Sequence, residues 1–432
     1  MIKTYAKYKD SGVEWLGEIP EEWEVKKLKY LLTEVNIRSE TGSETLLSLS
    51  KYRGIIPKSS LEEKSGLAKT LIGYKKVFKD TLVINKMQAV NGLLGVSKVS
   101  GITSPDYSIY KTDINYNSID YIGYLLKLPL YLSEYKKVVT GVMEGFIRLY
   151  TDDLYNIYAY LPSITEQTTI ANFLDKKTAQ IDQAIALKQK QIELLKERKQ
   201  IIIQNAVTKG INPNVKMKDS GIDWIGEIPE HWDLKVMKYV IKDIGDVDHY
   251  MPETIDNGVP YVMTGDLKEL VSEISFDSCK QVSHKDYIRL SKKIKSSKGD
   301  VILARYATIG TVSYIDKNID FLVSYSCVTI KPDPEKLIGL YLFYYFKSNS
   351  FAQQIQAHIN TNTQGNVGTN DIRNVKIALP PLSEQLMVVK FSQKESNKFD
   401  TLIMHQNKQI DKLKEYKSTL INSAVTGKIK VI

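Results

Sequence analysis

Residues 9–23 read KDSGVEWLGEIPEEW, and residues 218–232 read KDSGIDWIGEIPEHW. The second segment repeats the first 209 positions later and keeps both tryptophans. Another repeat, at an offset of 218, relates residues 166–208 to residues 384–426. The long segments between these repeats do not match each other. The chain therefore has two halves with shared ends and different middles, a pattern that suits one frame carrying two recognition surfaces.

The size and charge of the chain favour two domains and a polyanionic partner. A length of 432 residues suits two or three domains, and the repeat indicates two halves that each bury a core. The 59 basic residues exceed the 50 acidic ones, which gives a net charge of +9 and a pI near 9.0. This excess is typical of nucleic-acid binding. Only seven basic residues are arginine, so a general lysine bias explains the charge equally well.

The cysteine count and the hydropathy pattern limit the class of protein to which the chain can belong. Cys279 and Cys327 are the only cysteines and both lie in the second half, so the halves share no disulfide framework or zinc cluster. The first residues lack an apolar signal core, and no apolar run approaches the roughly 20 residues of a membrane helix. We expect a soluble, cytoplasmic protein that does not contact a membrane.

Each half ends in a long helix with a coiled-coil seam, because apolar and long-stemmed side chains recur at alternating steps of four and three. The two seams keep the same register, and even their polar positions coincide, so we expect the two helices to pair. The seam positions are Ile181, Ile185, Lys188, Ile192, Leu195, Lys199 and Ile202 in the first helix, and Phe399, Ile403, Gln406, Ile410, Leu413, Lys417 and Leu420 in the second.

The helix ends can also be predicted. Thr165 and Ser383 are suited to cap the first turns, and Gly210 and Gly427 follow the last apolar turns, where a left-handed residue commonly ends a helix. Each helix then spans about 44 residues.

The order of the parts predicts that the helices run antiparallel. The first helix delivers the chain to the second body, and the second helix must run back if both bodies are compact. Each tryptophan motif should then lie near the end of the helix from the other half. Met1 should lie close to Ile432.

The regions between the repeats mix short strand-like runs, as at 81–84 and 301–304, with helical stretches at 121–139 and 337–357. We predict an α+β fold with an internal pseudo-twofold repeat, in which two similar globular domains are separated by two long antiparallel coiled-coil helices. The predicted boundaries are a first domain at 1–162 with its repeat segment at 7–31, a first helix at 163–210, a second domain at 211–380 with its repeat segment at 216–240, and a second helix at 381–432.

Catalytic signatures are missing from the sequence. It has no phosphate-binding loop, no His-Glu-x-x-His zinc motif and no glycine-rich cofactor turn. Pro380 and Pro381 lack the polar and aromatic neighbours of a DNA methylase motif and are typical of a helix entry. The five histidines are scattered without the spacing of metal ligands. We therefore expect no catalytic residue, no metal site and no cofactor in this chain.

The tryptophans and the seam residues are candidates for protein contacts. Trp15, Trp23, Trp224 and Trp232 could stack on bases, but they lie in the shared ends, whereas a sequence-reading surface should differ between the halves. Packing against the helix ends or against a partner protein is therefore favoured. The candidate partner-binding residues are these four tryptophans together with Ile192, Leu195, Ile410 and Leu413.

Arginine is the side chain that best matches the two acceptors of guanine in the major groove, and six of the seven arginines lie in the bodies. Each could instead be a surface ion-pair partner. The amide-rich loop at 360–366 is a candidate adenine reader. The candidate DNA-binding residues are Lys51, Arg53, Lys86, Gln88, Asn91, Arg148, Lys268, Arg305, Tyr306, Thr308, Asn362, Gln364 and Asn366.

Together these motifs resemble the DNA specificity subunit of type I restriction-modification systems over essentially the whole chain. The resemblance is carried by the repeated Lys-Asp-Ser-Gly-x-x-Trp opening, by residues 85–88 with 92–97 and 104–107, and by the Leu-Pro-x-x-x-Glu-Gln sequence before each long helix. Each motif alone is weak, and their combination is specific.

The resemblance implies two target-recognition domains that each read half of a split DNA sequence, with helices that set the spacing and bind two methyltransferase subunits. S-adenosylmethionine would be bound by those subunits, and ATP and magnesium by restriction and translocation subunits. The chain itself would catalyse nothing. Because residues 305–308 differ chemically from residues 85–88, the two half-sites should differ.

Two other readings stay open at this stage. A coiled-coil adaptor with two protein-binding domains would have the same repeat and would not bind DNA. A nuclease or methylase with an unrecognised site would show activity as the purified chain, given magnesium or S-adenosylmethionine.

Overall fold

The computed structural model describes residues 3–50, 53–61, 70–141, 147–359 and 365–431. Contacts divide the chain into two units. The first unit comprises Met1–Leu187 and Lys408–Ile432, and the second comprises Lys188–Asn407. Each unit mixes strands and helices, as the sequence predicts for an α+β fold.

In the first unit the described strands are β1 (Tyr8–Asp10), β2 (Glu18–Pro20), β3 (Glu24–Lys27), β4 (Thr33–Glu34), β5 (Leu47–Ser50), β6 (Gly54–Pro57), β7 (Lys75–Val77), β8 (Leu82–Asn85), β9 (Leu94–Val96), β10 (Gly101–Thr103), β11 (Tyr107–Lys111) and β12 (Tyr158–Leu161). The helices of this body are α1 (Ile119–Leu125), α2 (Pro129–Val138) and α3 (Thr151–Tyr155). The long helix α4 (Ile164–Lys209) follows them.

In the second unit the described strands are β13 (Met217–Asp219), β14 (Glu227–Pro229), β15 (Asp233–Val236), β16 (Ile241–Gly245), β17 (Val259–Val262), β18 (Lys280–Val282), β19 (Val301–Ala304), β20 (Val312–Tyr314), β21 (Leu322–Val323), β22 (Cys327–Pro332) and β23 (Lys376–Leu379). Its helices are α5 (His284–Ser291), α6 (Gly339–Phe346), α7 (Asn349–Gln356) and α8 (Thr369–Asn374). The chain ends with the long helix α9 (Leu382–Val425).

Both units contain a four-stranded antiparallel sheet, ordered β4-β11-β8-β9 in the first and β16-β22-β19-β20 in the second. The inner strands β8 and β19 are buried along their whole length. Strand β19 coincides with the predicted run at 301–304, and β8 is shifted by one residue from the predicted run at 81–84. Because strands buried on both faces are continuously apolar, their sequences lack the alternation of a half-exposed strand.

Each predicted helical stretch divides into two helices. In the first unit, Pro129 occupies the first turn of α2, so the chain bends between α1 and α2. In the second unit, the side chain of Ser348 accepts a hydrogen bond from the backbone N–H of Phe351 and caps α7, separating it from α6.

The starts of the long helices differ from the prediction, which places caps at Thr165 and Ser383. Helix α4 begins at Ile164, and the hydroxyl of Ser163 accepts a hydrogen bond from the Glu166 N–H at 3.3 Å. Helix α9 begins at Leu382, where the Pro381 carbonyl accepts the first amides. The predicted capping residues therefore lie within the first turn. A sequence pattern alone does not decide which of several neighbouring residues caps a helix, because a serine or threonine one or two positions from the true cap gives a similar signal.

A buried glutamine attaches each long helix to the body that precedes it. Gln167 accepts a hydrogen bond from Ser118 N at 2.8 Å and donates to the Pro162 carbonyl at 2.9 Å. Gln385 accepts from Ile338 N at 2.8 Å and donates to the carbonyls of Lys336 and Pro380 at 2.8 and 3.0 Å. Both glutamines are fully buried. We call these two residues the glutamine clamps.

A buried tyrosine in each unit binds the end of the other long helix. In the first unit, the Tyr121 hydroxyl donates to the carbonyl of Val425 in α9 at 3.2 Å. In the second unit, the Tyr341 hydroxyl donates to the carbonyl of Val207 in α4 at 3.0 Å. These bonds satisfy carbonyls in the last turn of each helix, which lack helical partners.

The helix segments inside each unit are joined by polar contacts. In the second unit, Lys188 donates to Gln406 at 3.2 Å and Lys199 pairs with Asp400 at 2.8 Å. In the first unit, Lys417 pairs with Asp182 at 2.6 Å. In the second unit the partner number falls as the residue number rises, so the paired segments there run in opposite directions.

The tryptophan motifs lie at helix ends, as the sequence predicts. In the first unit, the Tyr8 hydroxyl donates to the Gly427 carbonyl at 3.0 Å. In the second unit, a Cβ added to Gly210 would meet Trp232 at 3.2 Å. Met1 and Ile432 lie outside the described residues, so their predicted proximity stays a prediction. Lys430 N donates to the Lys3 carbonyl at 2.8 Å.

We expect Gly427→Ala to lower the free energy of unfolding by about 2–3 kcal/mol, because two costs combine there. Its φ is +74°, and an added Cβ would lie 2.5 Å from Pro20 Cγ. Gly12 has a φ of +73° with open space around its Cβ position, so Gly12→Ala isolates the backbone cost, about 1 kcal/mol. Urea unfolding followed by tryptophan fluorescence compares the two variants. Equal effects would show that the Pro20 contact carries no cost.

Candidate nucleic-acid interface

In the first unit, the loop that follows β8 displays polar side chains from a fixed backbone. The Asn85 side chain accepts hydrogen bonds from the amides of Met87 and Gln88 at 3.1 and 3.2 Å. Gln88 and Asn91 are exposed, and the Asn91 amide donates to Gln88 Oε1 at 2.8 Å. Lys86 precedes them and is half-buried. The structure therefore brings three of the predicted DNA-binding residues together on one loop.

Lys75, in β7 of the same unit, is a buried lysine that the sequence analysis missed. The Lys75 side chain is 4% exposed, and its Nζ lies 3.6 Å from Glu34 Oε1. Burial lowers the pKa of Lys75, the positive charge of Lys86 lowers it further, and Glu34 acts in the opposite direction. The positive charges of Lys75 and Lys86 therefore repel each other in this unit, which favours an anionic partner nearby. A lysine in a short strand gives no sign in the sequence that it points inward.

The remaining candidates of the first unit are more scattered. Arg148 is 43% exposed and lies 3.9 Å from Asp106, and its backbone pairs with that of Thr140. Leu149 N donates to the Lys86 carbonyl at 3.0 Å, which places Arg148 beside the β8 loop. Arg53 is exposed, and its guanidinium donates to the Ser60 carbonyl at 3.4 Å. Lys51 lies outside the described residues.

In the second unit, Arg305 follows β19 and is internal. Its side chain is 9% exposed, and its Nη2 lies 2.5 Å from Asp246 Oδ2, whose side chain is 12% exposed. The same nitrogen lies 3.0 Å from His249 Nε2, and Nε donates to the Tyr325 carbonyl at 3.4 Å. A base contact by Arg305 stays a prediction, and it would require breaking this ion pair. The sequence does not reveal the burial, because Asp246 lies in a different loop.

Tyr306 and Asn366 are brought together next to Arg305. Their backbones form an antiparallel bridge, and Val367 N donates to the Arg305 carbonyl at 3.1 Å. Thr308 is exposed and follows Ala307, whose φ of 54° places a non-glycine residue in the left-handed region. Such strain is often held at functional loops. Asn362 and Gln364 lie outside the described residues, and Lys268 is exposed on a separate loop.

His249 is a second residue that the sequence analysis missed. Its ring stacks on Tyr325 with a centroid distance of 5.0 Å and meets the Tyr306 ring edge-on at 6.4 Å. Its side chain is 57% exposed. The segment DVDHY at 246–250 is the signal that could have found it, because it places a histidine between acids and a tyrosine in a loop.

The tryptophans divide into buried and accessible pairs. Trp23 and Trp232 are fully buried, so neither is accessible to a partner in this structure. Trp23 donates to Glu166 Oε2 at 3.1 Å, whereas Trp232 Nε1 has no hydrogen-bond partner among the described residues. Trp15 is half-buried against Tyr131, and Trp224 is 42% exposed. These two remain candidates for partner contacts.

The seam candidates on the long helices are shielded. Ile192 and Ile410 are buried, and Leu195 and Leu413 are half-buried. Leu187, Leu194 and Ile201 in α4 are instead more than half exposed. The apolar surface available to a partner on α4 therefore lies beside the predicted seam.

Within the described residues, no group of three or more histidine, cysteine, aspartate or glutamate side chains could hold a metal ion. Cys279 and Cys327 are buried free thiols, and burial raises the pKa of both, to about 11 and about 12. None of the described helices is both long and apolar enough for a membrane span.

Comparison with known proteins agrees with this arrangement. A family model described as the type I restriction modification DNA specificity domain matches residues 234–413. The putative type I restriction enzyme MjaX specificity subunit of Methanocaldococcus jannaschii is 24% identical over 441 residues, covering 96% of both chains. The MjaVIII specificity subunit of the same organism is 27% identical, covering 72% of this chain and 70% of its own.

The matching family model and both of these relatives are those of type I restriction DNA specificity subunits. Solved structures share the fold of the present chain. One is a chain from a structure that concerns complex assembly and conformational transition of a type I restriction-modification system. Its TM-score is 0.70 at 14% identity, and the match covers 94% of the present chain and 98% of that chain. The HsdS subunit from Thermoanaerobacter tengcongensis has a TM-score of 0.52 at 14% identity, with coverages of 95% and 98%.

Proposed function

We propose that this chain is a type I restriction-modification specificity subunit that reads a two-part DNA target, with one half-site contacted by each unit. In this proposal the two long helices separate the recognition bodies, run antiparallel as a coiled coil and bind two methyltransferase subunits. Restriction and translocation subunits join them in the full complex, which acts in the cytoplasm. The chain is the reader and contributes no catalytic residue.

The observation that carries the proposal is a shared sheet with different loops. The inner strands β8 and β19 occupy the same place in sheets of the same order. The loop after β8 presents Lys86, Gln88 and Asn91, whereas the loop after β19 continues into Tyr306 and Thr308. A common frame with different hydrogen-bonding groups suits the reading of two different half-sites.

The contacts within each unit support a spacing role for the helices. Each body is attached to the start of one long helix by a glutamine clamp and to the end of the other by Tyr121 or Tyr341. A rigid attachment of this kind would let helix length determine the unread spacer. We expect half-sites about one turn of DNA apart.

The chemistry would lie on the partner subunits. The methyltransferase subunits would supply S-adenosylmethionine and flip the target base out of the duplex. The nuclease subunit would supply the sites for ATP and magnesium.

The test is selection of bound DNA from a random library by this chain with its methyltransferase subunits, followed by sequencing. We expect two short motifs at one fixed spacing, and an affinity that falls as salt rises because phosphate contacts release counterions. Enrichment of no sequence by an intact complex at low salt would contradict the proposal and favour the adaptor reading.

A further inference from the structure

We propose that His249 is a base-reading residue of the second unit, and that Arg305 holds the imidazole in the form that donates a hydrogen bond from Nδ1. This inference rests on the proposed function, because it names one residue that would carry out the reading. The inference comes from the groups that fix the ring of His249.

The side chains of Arg305 and His249 contact each other. Arg305 Nη2 lies 3.0 Å from His249 Nε2. A guanidinium has only donors and stays charged in proteins. Asp246 Oδ2 also lies near His249 Nε2, at 3.5 Å, but it already accepts from Arg305 at 2.5 Å. The shorter contact, with Arg305, therefore favours His249 Nε2 as an acceptor. His249 Nε2 therefore carries no proton in this arrangement, and in the neutral ring the proton lies on Nδ1.

The Arg305 side chain cannot easily turn away from His249. Its Nη2 is also bound to Asp246 at 2.5 Å and its Nε to the Tyr325 carbonyl at 3.4 Å. Lys293 Nζ binds the other oxygen of Asp246 at 3.0 Å. Because Arg305 is held on several sides, Arg305 and Asp246 act as positioning residues for the histidine.

The imidazole ring of His249 is held by aromatic side chains and is still exposed. The imidazole stacks on Tyr325 at 27° between ring planes and meets Tyr306 edge-on. It is nevertheless 57% exposed, and Nδ1 has no hydrogen-bond partner among the described residues. A ring fixed by stacking, with an unused donor and an exposed face, has lost its conformational freedom before it meets a ligand. That preorganisation favours affinity.

The surroundings are those of a reading surface. Tyr306 pairs through its backbone with Asn366, and the exposed Thr308 lies two residues further on. Tyr250, next to His249, is 41% exposed and stacks with the Arg289 guanidinium at 4.2 Å. Aromatic rings therefore flank His249, and amide and hydroxyl side chains lie on the segments that adjoin Tyr306.

The chemistry limits which bases His249 can accept. A single N–H donor in the major groove matches the acceptors of guanine, the N7 of adenine or the O4 of thymine. It does not match the amino group of cytosine. We infer that the base contacted by His249 is a purine or thymine, and that cytosine is rejected there.

The test compares two substitutions that mimic different nitrogens of the ring. His249→Gln places an amide near the position of Nε2, so it can satisfy Arg305 but loses the donor at Nδ1. His249→Asn places its amide near Nδ1. DNA selection with methyltransferase subunits should show that His249→Gln loses preference at one base pair of one half-site, by roughly five- to tenfold. His249→Asn should retain part of that preference.

The controls distinguish the loss of a base contact by His249 from a general effect on DNA binding. His284→Ala changes an exposed histidine of the same unit and should leave both motifs unchanged. If His249→Gln selects the same motif as the unsubstituted chain, the inference is overturned and the proposed function stands. If the unsubstituted complex selects no motif, the proposed function itself has failed.

A second measurement examines the ring directly. Long-range proton–nitrogen NMR spectra of the histidine-labelled chain distinguish the two neutral forms, and loss of one signal in His249→Gln assigns the residue. We expect the Nδ1–H form for His249, with a shift toward the Nε2–H form in Arg305→Met. Observation of the Nε2–H form in the unsubstituted chain would overturn the inference.

Discussion

Replacing Asp246 with alanine is expected to lower the free energy of unfolding of the second unit by about 3–5 kcal/mol. Arg305 and Asp246 are almost fully buried, with side chains 9% and 12% exposed. Removing the acid leaves the guanidinium charged, desolvated and without its counter-charge. Lys293 loses a partner at 3.0 Å in the same change. Urea unfolding and amide hydrogen exchange of the β19 peptide measure the loss.

A double variant identifies the cause of that loss. Asp246→Ala with Arg305→Met removes both charges, so it should recover much of the stability that Asp246→Ala alone loses. Asp248→Ala is the matched control, because Asp248 is 71% exposed and should contribute less than about 1 kcal/mol. If the double variant is as unstable as Asp246→Ala, the unpaired charge is not the cause.

Gln385→Ala is expected to cost the second unit about 3–5 kcal/mol. The glutamine clamp makes hydrogen bonds to Ile338, Lys336 and Pro380 at 2.8 to 3.0 Å, and Gln385 is fully buried. Alanine would leave one amide and two carbonyls without this partner, and the methyl group would not fill the space. The start of α9 should then exchange its amide hydrogens faster. Gln356→Ala, at an exposed position in α7, should change stability by less than about 0.5 kcal/mol.

The first unit offers a parallel test, because Gln167 makes similar bonds to Ser118 and Pro162. Gln167→Ala should accelerate exchange at the start of α4 and leave the start of α9 unchanged. Loss of protection at both helix starts in either variant would mean that the clamps do not act separately.

The long helices and their ends could largely be predicted from the sequence, because the repeat shows the same pattern in both halves. The repeat places Lys188 and Gln406 at equivalent seam positions, and these two side chains are hydrogen-bonded. The equivalent Lys199 and Lys417 instead pair with Asp400 and Asp182. The helix ends could also be predicted, because Gly210 and Gly427 follow the last apolar turns. Both glycines have a positive φ in the structure. The mixed α+β class followed from the alternation of short strands and helices.

The candidate site was less accessible to sequence reasoning. Arg305 was singled out because arginine reads guanine, but its burial depends on Asp246, 59 residues earlier in the chain. The scattered spacing of the histidines gives no sign of a role for His249. That role depends on contacts with Arg305 and with the Tyr325 ring. Lys75 gave no signal at all. Local patterns predict strands and helices, whereas a site assembled from separate loops needs their positions in space.

The ion pairs of the long helices have a consequence for how the chain arose. Lys199 and Lys417 are equivalent positions of the two copies, as are Asp182 and Asp400, so each ion pair joins a residue of one copy to a residue of the other. A shorter ancestral chain with one copy would carry both members of the pair. Two such chains could form the same two bonds between them, so the repeat preserves an arrangement that a symmetric pair of identical chains could also make.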